Sequence, residues 1–134
     1  MIAAVPLMLV PLALYNLAMI GLFGAAPAIF DAEMITFTMV SGARWGLTFG
    51  DLLIVVALIL LFVEILKATH IGSKALVDHM LSLVVFLAFL VEFLLVTPAA
   101  SRVFFILMTI AFIDVIAGFA VSMRTATRDV SIGL

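Results

Sequence analysis

The sequence predicts an all-α membrane protein, a four-transmembrane-helix bundle with an external β-hairpin between helices 1 and 2. Three observations predict it. Hydrophobic residues make up 68% of the 134 positions and charged residues only 10%, where a soluble domain carries roughly a quarter charged residues. Four apolar stretches each approach the roughly 20 residues that a spanning helix needs. The one long connection between them alternates with period two, the mark of a strand.

The spans follow from the charges and the punctuation. They are placed at 5–24, 51–70, 74–97 and 102–123, with the external loop at 25–50, in a single membrane domain over 1–134. The first apolar run carries no charge before Asp31. A cleaved signal segment ending near GAAPA (24–28) is the rival for that run, but no Lys or Arg precedes it, so a span is expected. In HIGS (70–73), Gly72 can end one helix and Ser73 cap the next, making spans two and three a tight antiparallel hairpin. In TPAAS (97–101), Pro98 stops span three and Ser101 caps span four. Pro6 reads as a helix start, while Pro11 frees the carbonyl of Leu7 and bends span one toward Tyr15.

Lys and Arg favour the cytoplasmic side. With the N-terminus inside, Lys67, Lys74, Arg124 and Arg128 fall inside and Arg44 and Arg102 outside. Both termini are then cytoplasmic, and the expected location is a bacterial inner membrane.

Within the loop, Ile35, Phe37 and Met39 alternate with Thr36 and Thr38, and after the turn SGA, Trp45, Leu47 and Phe49 alternate again. This is the expected hairpin, lying on the bundle with Trp45 at headgroup level. Its plainer role is a cover for the helix ends. As a docking surface its candidate residues are Phe37, Trp45 and Phe49, because an exposed strand edge pairs readily with another chain.

Three acids fall inside spans: Glu64, Glu92 and Asp114. Each costs at least about 2.5–3.5 kcal/mol at a helix centre, so such groups face the bundle interior or a cavity. Loss of water favours the neutral carboxyl, and a staggered series of exchangeable protons is what a proton path requires. Asp114 has Ala111, Ala117, Gly118 and Ser122 as helical neighbours, a small-residue face suited to close helix packing. One of Tyr15 and Asn16, the strongly polar residues of span one, is expected to donate a hydrogen bond to Asp114. Glu92 is expected to pair with Arg44 or Arg102, and Glu64 with Lys67 at i+3. His70 and His79 read as interfacial polar residues, with Asp78 on another face of the helix.

Much is excluded. Without cysteine there is no disulfide, thiolate catalysis or iron–sulfur cluster. A net charge of −2 gives no basis for binding nucleic acid. No Glu-x-x-His ligand spacing, nucleotide fingerprint or nucleophile with its base is present, so no metal, no cofactor and no enzymatic activity are expected. The favoured function is an interaction, assembly or accessory subunit of a larger or homo-oligomeric membrane complex. Its partners would be the lipid bilayer and itself or another membrane protein. The alternative is a small proton- or cation-coupled transporter or channel using Asp114, Glu92 and Glu64.

Overall fold

The computed structural model describes residues 5–24, 28–69 and 74–133. In chain order these form α1 (Leu9–Met19), β1 (Glu33–Thr38), β2 (Arg44–Thr48), α2 (Phe49–Ala68), α3 (Lys74–Leu95) and α4 (Arg102–Gly133). Short 3-10 turns stand at Ala28–Asp31 and Thr97–Ala99. The fold is helical with one small antiparallel hairpin.

Three stretches are long and apolar enough to cross a membrane: Phe49–Ala68, Leu76–Leu95 and Arg102–Val121. That composition marks an integral membrane protein. The expected first span is shorter than its apolar run, since α1 has 11 residues, a rise of about 16 Å. Gly21 is the reason. At φ +92° it takes the left-handed position, with its N–H on Ala18 O and that of Leu22 on Leu17 O, the paired bonds of a Schellman stop.

Pro11 falls in the first turn of α1, where a missing N–H is harmless. The carbonyl of Leu7 accepts from Val10 at 3.0 Å instead of being freed, so the expected bend has no cause. Short as it is, α1 is tied at both ends. Lys67 at the end of α2 donates to Val5 O at 3.0 Å, and the Tyr15 hydroxyl donates to Pro98 O at 3.1 Å. The segment therefore runs antiparallel to α2 between the two polar ends of the bundle.

At the start of α2, Thr48 Oγ1 accepts from Asp51 N at 3.1 Å and Asp51 Oδ2 from Thr48 N at 3.0 Å, a complete capping box. Ser101 Oγ accepts from Phe104 N at 3.1 Å, as expected of a cap on α4. The proposed turn residues His70, Gly72 and Ser73 lie outside the described residues, as does the side chain of Ser122.

The central helix is α4. It packs along both α2 and α3, and 39% of its span is buried within the protein, against 22% for each of the others. With no proline or internal glycine after Gly118, it continues past the predicted end at 123 to Gly133. The core lies toward the hairpin, where Phe104 meets Tyr15 edge-on at 4.9 Å and Phe89 at 5.3 Å.

The hairpin pairs Phe37 with Trp45 and Ile35 with Leu47, with a bulge between Glu33 and Ile35. Its Ile35, Phe37, Trp45 and Leu47 form an apolar face, and the Phe37 and Trp45 rings stack at 6.0 Å. Every residue of β1 is exposed. The hairpin projects from the helix ends and does not lie on them. Phe49 departs from the docking expectation: it is the first residue of α2, half-buried against Phe23 and Phe30, each at 5.9 Å.

Candidate functional site

Polar side chains of α2, α3 and α4 converge in the half of the bundle away from the hairpin. Measured along its helix from the hairpin end, Glu64 lies about 22 Å down α2, Ser82 about 20 Å down α3 and Asp114 about 18 Å down α4. The three share one depth. They are buried at 3%, 4% and 5% exposure respectively. The Asp114 carboxyl lies within interaction range of Ser82, Glu64 and Asp78.

One cation serves this group among the described residues. Lys67 Nζ stands 2.7 Å from Glu64 Oε1 and 3.7 Å from Asp78 Oδ1. Asp78 Oδ1 is buried and accepts no hydrogen bond. His79 completes the cluster. Its ring stacks on Phe119 at 5.3 Å and 14° and lies against Gly118, where a Cβ would fall 2.7 Å from Cε1. Gly118 thus makes room for an imidazole ring, not for the backbone of another helix.

Chemically, the arrangement gathers the carboxyls of Glu64, Asp78 and Asp114, with the one ammonium, Lys67, on the first two. A water-poor bundle does not hold two uncompensated charges. Two further positive charges, as protons or as a cation, balance it. Among the described residues no group of three or more His, Asp or Glu has the geometry to hold a metal ion.

The expected partners of Asp114 are elsewhere. Tyr15 bonds Ser101 Oγ at 2.7 Å, besides Pro98 O, in the hairpin half. Asn16 Nδ2 donates to Leu12 O at 2.8 Å and to Glu92 Oε1 at 3.1 Å. Both side chains are held at the hairpin end, by Ser101 and Glu92, and do not reach Asp114. Glu92 therefore pairs with an amide and not with arginine, because Arg44 is held by Glu33 at 3.2 Å across the hairpin. Arg102 instead lines an open cavity of about 300 Å³ with Asp31, Tyr15, Phe30 and Ser101. The Glu64–Lys67 pair forms as expected.

Comparison of the chain with protein-family models, with curated proteins and with solved structures finds no match.

The sequence points to Asp114 and to Glu64 with its partner Lys67, but sets Asp78 on another helix face and His79 at the interface, and Ser82 is missed. A signal was available. Asp78, Ser82, Val85, Phe89 and Glu92 recur at spacings of four and three, one continuous helix face. Read as a stripe, they turn Asp78 inward.

Proposed function

We propose that this chain is a small proton- or cation-coupled membrane protein whose working centre is the carboxylate cluster of Glu64, Asp78 and Asp114. The observation that carries the reading is their convergence from three helices, with Lys67 on Glu64 and Asp78 and with Asp114 beside both carboxyls. A cluster short of positive charge takes up protons, and intramembrane ionisable groups commonly mark such pathways. Lys67 anchors the cluster, Asp78 is its rim and Asp114 its deepest acid. The basic residues favour a bacterial inner membrane with the α2–α3 turn facing the cytoplasm.

The test is proton uptake and pH-driven flux in liposomes, comparing the natural chain with Asp114→Asn. The amide is nearly isosteric, so the variant should assemble normally and lose coupled flux. Unchanged flux in a well-folded variant removes Asp114 as a carrier.

A second reading, an accessory or assembly subunit, is supported by the projecting apolar face of Ile35, Phe37 and Trp45. An isolated two-stranded hairpin is marginal in water, and a neighbour at this face would stabilise it. Native mass spectrometry of gently extracted protein tests it. A second polypeptide at fixed stoichiometry supports the subunit reading, and a chain without partners removes it.

A further inference from the structure

The bundle holds two polar levels, and what lies between them decides how protons reach the cluster. One level is Glu64, Asp78, Ser82 and Asp114. The other is Asn16 with Glu92, beside Tyr15 with Ser101. On α3 the levels are ten residues apart, from Ser82 to Glu92, a rise of about 15 Å.

Among the described residues, every fully buried side chain in that interval is apolar. Val85 and Phe89 come from α3, Leu107, Ile110 and Ala111 from α4, and Ala57 from α2. Thr109, the hydroxyl at this height on α4, turns outward and binds Phe105 O of its own helix at 2.9 Å. A proton moves through donors and acceptors in hydrogen-bond reach of one another, about 3 Å apart. None spans the gap. Water is not held there either, because a buried water needs two to four polar partners.

The opposite end of the cluster differs. Lys67 lies one residue before the last of α2, and its side chain and that of Asp78 retain 16% and 15% exposure. From there the groups step inward through Glu64 to Asp114.

We infer that the carboxylate cluster exchanges with water only at the face where α2 ends and α3 begins, here the turn face, and that a dry layer centred on Phe89, Leu107 and Ala111 seals it from the hairpin face. The inference rests on the proton-coupled reading and gives it a direction. This conformation binds and releases from one side, and passage across the membrane requires the dry layer to open. Glu92 then belongs to the hairpin face and is not a station on the route from Asp114.

The absence of cysteine gives a clean test. Single cysteines are placed at Ser82 in the cluster and at Ala111 in the layer, with Thr69 and Thr97 as exposed controls for the two faces. Each is exposed in sealed vesicles to a membrane-impermeant thiol reagent added from one side at a time. The thiolate is the nucleophile that attacks such a reagent, and it forms only where water reaches.

Ser82→Cys should react from the turn face only, and Ala111→Cys at least about a hundredfold more slowly from either face. Reaction of Ser82→Cys from the hairpin face, or of Ala111→Cys as fast as Ser82→Cys, overturns the sealed layer. So does a Ser82→Cys protein inert from both faces. Should a cysteine variant misfold, the natural chain answers by infrared spectroscopy. A pH jump at the turn face should at once shift the carboxyl band that Asp114→Asn removes, and one at the hairpin face should leave that band unmoved. Prompt response to both jumps, with flux retained, would overturn the inference while leaving proton coupling intact.

Discussion

Glu64 and Lys67 stand one helical turn apart with their charged atoms 2.7 Å from each other, and their side chains retain only 2% and 16% exposure. A pair so enclosed is asymmetric in its energetics. Its net contribution against an apolar replacement is small, yet removal of one partner strands the other. Lys67→Met should therefore destabilise the protein by about 3–5 kcal/mol, and Glu64→Gln with Lys67→Met should recover most of it. Thermal unfolding in detergent, read as a double-mutant cycle, checks this. Equal loss in single and double variants would show that the pair does not hold the α2 end.

Tyr15 fastens α1 to the α3–α4 corner through Ser101 and Pro98. Tyr15→Phe keeps the ring packed between Phe30 and Phe104 and deletes only the hydroxyl. The expected cost is about 1 kcal/mol, rising toward 3 where the abandoned carbonyl stays dry. Ser101→Ala should cost about 1 kcal/mol more than that, because it also strips the cap from the N–H of Phe104. The order of the two melting temperatures is the readout.

The sequence made the membrane character, the hairpin strands, the Ser101 cap and the Glu64–Lys67 pair legible, because each depends on neighbours within a few positions. The stop at Gly21 was legible in principle, but GLFG lies inside an unbroken apolar run where composition outweighs a single glycine. The partners of Asp114 were not legible. A span of full length would set Tyr15 and Asn16 near mid-depth, and the early stop at Gly21 raises them toward the hairpin. Asp78 was assigned from its immediate neighbour His79, when the inward stripe of α3 needed a longer window.

Gly118 faces the ring of His79, and a Cβ there would fall 2.7 Å from Cε1 and 2.9 Å from Nδ1. The ring cannot slide away easily, since Phe119 stacks on it and its residue is 7% exposed. Gly118→Ala should destabilise the α3–α4 contact by about 1–3 kcal/mol through overpacking. Combining it with His79→Ala should cost less than the sum of the two single changes. Additive costs would mean that the ring and the glycine do not share this space.

Glu92 and Asn16 provide the sharpest contrast between structural and proton-carrying acids. Asn16 Nδ2 reaches Glu92 Oε1 at 3.1 Å, while Glu92 Oε2 is buried without a hydrogen bond. Asn16→Leu removes the donor and should cost about 1–3 kcal/mol, the penalty of leaving a buried polar group unsatisfied. Glu92→Gln keeps the acceptor for Asn16 and discards the charge, so stability should hold or rise. Because the dry layer separates Glu92 from the cluster, Glu92→Gln should also leave proton uptake at the turn face unchanged, where Asp114→Asn reduces it. Loss of uptake in a stable Glu92→Gln protein would join the two polar levels into one path and remove the layer as a barrier.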